Sequence, residues 1–382
     1  MKLLHTGDLH LDSAFCAYGQ KDAQMQREAG RELLRRIFAC ASEEKCDMIL
    51  IAGDLFDSRF VSPESAELFC SLVERTNIPV VLSPGNHDPY VEGGFYTKAS
   101  ERLGDLLTLF SSNELQAFDF DDLHVRVYGY AFTSLMLMQS PLSSAQTLAD
   151  NGYLKIFCSH ADLASPVSRY APITLAELSS FGFDYAALGH IHNRAEQEDA
   201  EGRVRYCGFA QGRSFDELGE GGVWIVELDG DSCTCERKVL SVQSFYCSEL
   251  DMSDADSEDS AVSLVLTEAS KFARRGVHLR IVLSGRIERS LVSYLLSRTE
   301  EITERAGLEY LELADETLPF IDGEYLEKDT TIRGELYRTL LPKLMGDNAD
   351  ERIQATKALR IGLAAIDGQN IFDAFFLDGG RS

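Results

Sequence analysis

Five short blocks of carboxylate, amide and imidazole side chains carry the chemistry available to this sequence. They are Asp8-Leu9-His10, Gly53-Asp54-Leu55-Phe56-Asp57, Gly85-Asn86-His87-Asp88, Ser159-His160 and Gly189-His190-Ile191-His192. Asp8, His10, Asp54, Asn86, His160, His190 and His192 are seven donors of metal-ligand type, and no thiol falls within any block. With Asp54 as a bridge, each of two ions receives four protein ligands. Asp8, His10, Asp54 and His192 hold one ion; Asp54, Asn86, His160 and His190 hold the other. A mixed imidazole and carboxylate set suits Mn, Fe or Zn better than Mg alone. Two divalent cations are therefore expected, with Mn, Fe and Zn open on the donor set alone.

Two cations about 3.5–4 Å apart can clamp a phosphoryl group and activate a water for in-line attack. The leaving alkoxide then needs a proton. His87 stands between the ligand Asn86 and Asp88 in the place for that role, and Asp88 is expected to accept from one ring nitrogen and fix its tautomer. His87 and Asp88 are thus the candidate catalytic pair. Asp57 reads equally as a cap or as part of the site, and Asp12 as a turn or cap residue. Five of the eight histidines lie in the blocks, which argues against incidental placement. His5, His124 and His278 read as ordinary core or surface residues.

The elements that must position these groups are legible around them. Each block follows an apolar run that reads as a buried strand: Lys2–Thr6, Met48–Ala52, Val80–Ser83, Leu154–Cys158 and Tyr185–Leu188. Ligands of open α/β sheets collect at the carboxyl ends of strands, so the blocks point to one shared rim. In extended chain, residues i and i+2 face the same way, so Asp8/His10 and His190/His192 can each aim together. Glycines at 7, 53, 85 and 189 allow the backbone to turn where the strands end. Gln24–Ser42 has apolar residues at helical spacing, Ser62-Pro63 opens a helix, and Thr174-Leu175-Ala176-Glu177 is a capping box. Alternating strands and helices favour a layered α/β domain.

The ordered set D-x-H, G-D-x-x-D, G-N-H-D, H and G-H-x-H resembles the calcineurin-like metallophosphoesterases. Within them it is most similar to the bacterial DNA repair exonucleases of the SbcD type. Asp8-Leu9-His10-Leu11 with Gly53-Asp54-Leu55-Phe56-Asp57 fits that branch, as do Tyr206-Cys207-Gly208 and Arg213-Ser214-Phe215-Asp216-Glu217-Leu218-Gly219. Related protein phosphatases carry Gly where Leu11 stands, and archaeal and eukaryotic relatives tend to carry His where Asp57 stands. A second catalytic histidine is therefore not carried over. The resemblance implies an α/β/β/α sandwich over residues 1–245, a small α/β capping domain over 246–325 that flanks the active site, and a helical region over 326–382. It also implies Mn²⁺ as the first of the candidate ions, DNA as substrate, an SbcC-like coiled-coil ATPase as partner, and a homodimer through the phosphoesterase domain.

Composition sets the outer bounds. The 382 residues suffice for two or three domains with a large core, and 45% hydrophobic content suits a soluble globular chain. No apolar segment approaches the ~18–20 residues of a membrane span, and Lys2-Leu3-Leu4 runs straight into the first block without a signal sequence. Nine scattered cysteines form neither a disulfide framework nor a zinc knuckle, which fits a reducing cytoplasm. The formal charge of −26 is unusual for a nucleic-acid binder, and both halves of the chain share it. Arg31/Arg35/Arg36 and Lys271/Arg274/Arg275 are the candidate basic stripes, and they read first as solvated helix faces. A partner that supplies most of the DNA affinity reconciles the charge with the resemblance.

Beyond the blocks, residues 249–259 carry six carboxylates and read as an exposed linker or helix start. Ala261–Ala273 and Leu291–Glu304 read as helices, His278–Leu283 and Leu308–Leu313 as strands. Asp329 could cap a helix through Leu344, and Asn348-Ala349-Asp350-Glu351 forms a box before Ile353–Ile366, whose Leu359, Leu363 and Ile366 form an apolar seam. Phe372, Phe375, Phe376 and Leu377 crowd a tail that could dock the partner. The reading is a two-metal phosphodiesterase serving as the nuclease subunit of a DNA double-strand-break repair complex, exonucleolytic on duplex ends and endonucleolytic on single strands. The alternatives are a small-substrate phosphatase or cyclic-nucleotide phosphodiesterase, or a DNA-end scaffold with a vestigial metal site.

Overall fold

A computed structural model describes residues 1–366 apart from 17–18, 144, 146–151, 164, 166, 193–198, 200–201, 230–231, 320–322 and 347. It divides into two compact units, Met1–Ser244 and Phe245–Ser382.

The first unit runs β1 (Lys2–Thr6), α1 (Gln20–Glu43), β2 (Met48–Ile51), α2 (Pro63–Thr76), β3 (Val80–Leu82), α3 (Phe95–Leu103), β4 (Leu107–Leu109), β5 (Gln116–Phe120), β6 (Val125–Gly129), β7 (Leu154–His160), α4 (Leu175–Phe181), β8 (Tyr185–Gly189), β9 (Val204–Tyr206), β10 (Gly222–Asp229) and β11 (Ser232–Val239). One sheet has the order β11-β10-β1-β2-β3-β4 and the other β5-β6-β7-β8-β9. The strands that lead to the blocks are parallel to one another within each sheet, β1 with β2, β2 with β3 and β7 with β8, while β10 joins the other edge of β1 antiparallel.

Strand periodicity builds the layers. In β2, Met48 and Leu50 turn inward and pack with Val127, Ile156 and Ala187 of the other sheet. Ile49 and Ile51 turn outward under Leu34, Phe38 and Phe69 of the helices α1 and α2. On the second sheet, Phe157, Ala186 and Leu188 face outward under Leu178 and Phe181 of α4. The result is an α/β/β/α sandwich in which every β2 residue is buried, as its uninterrupted apolar run requires. Ser62 caps α2 by accepting from Ser65 N–H, with Pro63 at the first helical position, and Thr174 and Glu177 form their reciprocal box.

His5 on β1 is fully buried. Its Nδ1 lies 2.8 Å from the Tyr185 hydroxyl and its Nε2 3.2 Å from the Leu188 carbonyl. That environment satisfies a neutral ring, and burial pushes the imidazole down to about 3. The unfolded chain takes up the proton first, so stability is lost as pH falls below about 6.5 and continues to be lost towards pH 3. Between pH 7.5 and 5 this group alone is expected to cost about 2 kcal/mol. Urea unfolding at both pH values should show that much less acid sensitivity in His5→Gln. Equal sensitivity in the two proteins would refute the assignment.

The second unit is described by itself. It contains β12 (Ser244–Asp251), whose first residue is the last of the first unit, α5 (Glu258–Ser270), β13 (Val277–Ser284), β14 (Arg286–Ile287), α6 (Arg289–Ser297), α7 (Thr299–Ala306), β15 (Tyr310–Asp315), β16 (Leu318–Pro319), α8 (Gly323–Lys328), α9 (Ile332–Leu344) and α10 (Ala349–Ile366). The sheet β12-β13-β15 packs Leu279 and Ile281 against Ala261, Val265, Leu295 and Ile302 of its helices.

Several elements differ from the sequence expectation. Glu249 to Asp251 end a strand instead of opening a linker, because β12 pairs with the apolar β13. The helix expected over Leu291–Glu304 is two helices, broken at Arg298, where φ −109° and ψ 10° leave the helical region. Thr331, not Asp329, caps α9; Asp329 accepts from the Thr331 N–H at 2.7 Å. Leu359 and Leu363 pack inside this unit against Leu326 and Tyr337. Phe372, Phe375, Phe376 and Leu377 lie outside the described residues. Among the described residues, no helix is long and apolar enough to cross a membrane.

Candidate metal centre

The two sheets deliver the blocks to one place. Asp8, Asp54 and Asn86 follow β1, β2 and β3, His160 is the last residue of β7, and His190 and His192 follow β8. The first two loops are zipped together by backbone bonds from Asp8 N to Gly53 O (3.0 Å), His10 N to Asp54 O (2.9 Å) and Asp57 N to Leu11 O (2.9 Å).

The extended alternation expected to aim Asp8 with His10 is absent. Asp8 has φ 50°, His10 φ 44°, Asp54 φ 47° and His190 φ 106°. These are left-handed or sparsely populated conformations that non-glycine residues rarely hold, and their clustering at one point is the mark of a functional site. His190 and His192 consequently diverge. The His190 ring turns to His160, with Nδ1 3.2 Å from His160 Nε2, whereas His192 Nε2 lies 3.3 Å from His10 Nε2.

Asp54 is the centre. Its Oδ1 accepts from the His87 backbone N–H at 2.9 Å. Its Oδ2 stands 3.6 Å from His10 Nε2 and 3.4 Å from His160 Nε2. One oxygen thus faces both halves of the cluster. Asn86 Oδ1 joins the His160 half, 2.8 Å from His160 Nε2. Asp8 is buried and accepts from the His190 N–H at 2.9–3.1 Å and from the Cys207 thiol at 3.2 Å.

This donor set fits divalent cations. Lone-pair nitrogens and carboxylate oxygens converge within 4.8 Å in three overlapping groups: Asp8/His10/His192, His10/Asp54/His87 and Asp8/Asp54/His160. Burial pushes His10, His160 and His190 down to about 4, which keeps them in the neutral form that ligates. Burial, and next the Asp8 carboxylate, push Asp54 up to about 7, a cost that cations between the carboxylates would relieve. Burial alone would raise Asp8 as well, but the His192, His160 and His10 rings pull it below its ordinary value.

Glycine makes room for the bridge. A Cβ on Gly85 would stand 2.1 Å from Asp54 Oδ1 and 2.6 Å from Asp54 N. Gly85→Ala is therefore expected to displace the bridging carboxylate, lowering unfolding stability by about 1–3 kcal/mol and reducing metal content. Denaturant titration with metal analysis checks this; unchanged metal content would contradict the close approach.

Asp88 does not do what was expected of it. Its carboxylate accepts from Gly85 N–H and Phe56 N–H, both at 2.9 Å, and from the Tyr96 hydroxyl, and it makes no contact with the His87 ring. Burial, with Asp54 nearby, pushes it up to about 8. Its work is to pin the Asp54 loop to the Asn86 loop. His87 is half-exposed, and its Nδ1 lies 3.3 Å from the Asp57 carbonyl, which favours the Nδ1–H tautomer and leaves Nε2 for proton exchange. The Asp57 carboxylate instead holds His10, at 3.1 Å from its Nδ1.

Glu217 was missed. Its Oε1 lies 2.6 Å from His192 Nδ1, and Arg213 binds both its oxygens. Burial would raise this acid, but the His192 and Arg213 contacts hold it at about 2. The only sequence signal was its place in the loop motif after the last ligands.

A four-layered α/β/β/α domain with an Asp/His metal-type cluster at its strand ends defines the metallophosphoesterase class. The chain belongs to the calcineurin-like phosphoesterase family, whose match spans residues 1–194. A similar curated protein is the uncharacterized metallophosphoesterase YhaO of Bacillus subtilis (strain 168), 27% identical over 298 residues, 75% of this chain and 72% of that one. Among solved structures, a dimetal phosphatase from Danio rerio is similar at 12% identity, with 63% of this chain and 96% of that one covered and a TM-score of 0.39. Vps29 of Entamoeba histolytica, complexed with zinc, is similar at 14% identity over 63% and 99%, with a TM-score of 0.27. Metal-assisted phosphoester hydrolysis is the activity class these residues belong to.

Proposed function

We propose that this protein is a two-metal phosphodiesterase that cleaves DNA as the nuclease subunit of a repair complex. The observation that carries the hydrolytic part is Asp54 Oδ2, which faces His10 and His160 from one position. Asp8, His10, Asp54 and His192 would hold one ion, and Asp54, Asn86, His160 and His190 the other. When bound, the pair would polarise the phosphoryl group and lower the pKa of an attacking water. His87 in its imidazolium form would then give the Nε2 proton to the departing oxygen and regain one from solvent, its ring steadied through Nδ1–H by the Asp57 carbonyl.

The choice of DNA rests on the motif resemblance, and the charge shapes how DNA must be held. Arg31 pairs with Asp12 and Glu28, Arg35 with Glu28 and Glu32, and Arg36 binds the carbonyls of Leu240 and Ser241. Lys271 pairs with Glu268. These side chains are engaged locally, so a partner of the coiled-coil ATPase type, with a second copy of this chain, supplies the phosphate contacts. Manganese is the preferred ion. The same acidic surface favours one second reading, a diesterase for small substrates.

End-labelled duplex and single-stranded DNA, with Mn²⁺, Mg²⁺ or EDTA, decide between the readings when bis-p-nitrophenyl phosphate is run in parallel. Metal-dependent DNA cleavage supports the nuclease. Turnover of the small diester with intact DNA, even with the ATPase present, would overturn it in favour of the small-substrate enzyme.

A further inference from the structure

The two halves of the cluster are held by different means. On the Asn86 side, His160 Nδ1 lies 3.2 Å from the Ala52 carbonyl, and the partners of His160 Nε2 are Asn86 and His190. The carboxylates near His160 are the metal-type donors themselves, Asp54 Oδ2 at 3.4 Å from Nε2 and Asp8 Oδ1 at 3.6 Å from Nδ1, and neither is a hydrogen-bond partner behind the ring. On the other side, carboxylates steady both imidazoles from behind: Asp57 Oδ1 lies 3.1 Å from His10 Nδ1, and Glu217 Oε1 lies 2.6 Å from His192 Nδ1. The two Nε2 atoms in front converge to 3.3 Å. One guanidinium joins the carboxylates. Arg213 donates through Nη2 to Glu217 Oε1 at 2.9 Å and through its backbone N–H to Oε2 at 2.9 Å, and Nη1 stands 3.6 Å from Asp57 Oδ1.

We propose that Glu217 and Arg213 are positioning residues for one ion only, the one taken by Asp8, His10 and His192, and that they set its affinity apart from that of the Asn86/His160/His190 position. The physical reason is ring orientation and basicity. A carboxylate behind an imidazole fixes which nitrogen carries the proton and makes the other a better donor. Arg213 keeps Glu217 in place and balances its charge, so the carboxylate stays behind the His192 ring instead of turning forward onto the cation. Behind His160 the hydrogen-bond partner of Nδ1 is the Ala52 carbonyl at 3.2 Å, with Asp8 Oδ1 farther off at 3.6 Å, so the support there is weaker.

This inference rests on the two-ion reading, and the experiment separates their failures. Mn²⁺ titration calorimetry and frozen-solution EPR are run on the full-length protein, Glu217→Gln, Arg213→Gln and Arg213→Lys. The unsubstituted protein is expected to bind two ions and give the spin-coupled signal of a pair. Glu217→Gln should keep one ion at unchanged affinity and weaken the other roughly 10–100-fold. Its EPR spectrum at low Mn²⁺ should be that of isolated ions, and kcat should recover as Mn²⁺ is raised. Arg213→Gln should weaken the same ion, with Arg213→Lys intermediate. If Glu217→Gln fails to fold, as thermal melting would report, Arg213→Gln carries the test. Two ions bound by every variant with unchanged affinities would overturn the proposal. Fewer than two ions in the unsubstituted protein would overturn the two-ion reading first, and this inference with it.

Discussion

Asp54→Asn is expected to lower diester hydrolysis on the order of 10³-fold, about 4 kcal/mol of barrier, and to take bound metal from two ions to one or none. The substitution is nearly isosteric, so the effect must come from what the second atom is. Asp54 Oδ1 is committed to the His87 N–H, and an asparagine oxygen must take that place. The amide NH2 then falls at the Oδ2 position, 3.6 Å from His10 Nε2 and 3.4 Å from His160 Nε2, where it donates to the very lone pairs that would bind metal. A charge is lost and two ligands are occupied. Metal analysis with bis-p-nitrophenyl phosphate turnover checks this. Two ions retained with full activity would mean that Asp54 is not the bridge.

The second large effect separates metal binding from proton transfer. His87→Ala should leave two ions in place, because the backbone N–H at residue 87 still supports Asp54. Turnover should fall by about 10²–10⁴. The loss should be greater for an alkyl or nucleotide diester than for p-nitrophenyl esters, whose leaving group needs little protonation. A uniform loss across leaving groups would point to substrate binding rather than to acid catalysis, and full activity would remove His87 from the mechanism.

How far the sequence spoke depended on the range of the forces involved. The strand runs, the Ser62 and Thr174 caps and the order of the blocks are local, and the structure reproduces them because apolar periodicity and capping act within a few residues. Rim placement followed from strand direction. What stayed hidden was tertiary. Asp88 looked like a partner for His87 because it is adjacent, but adjacent residues diverge, and Gly85, Phe56 and Tyr96 claim it. Extended alternation failed at Asp8 and His10 because the chain leaves the strand in left-handed steps there. Glu217 could be seen only once β10 and the loop before it had folded against the His192 segment. The break at Arg298 carried neither glycine nor proline to announce it.

The site's composition across two sheets also dictates when it can exist. Asp8 and His190, joined by a backbone-to-carboxylate bond, are 182 positions apart. A chain emerging from the ribosome presents Asp8, His10, Asp54 and Asn86 long before His160, His190 and His192, and it cannot load either ion fully until the second sheet has formed. Closing a loop of that length is entropically slow. Cation capture would therefore come late in biogenesis, and an ion held by these residues would act as a non-covalent rivet between the sheets. Stripping it should quicken amide exchange in β2 and β7 together, because neither sheet then anchors the other's rim.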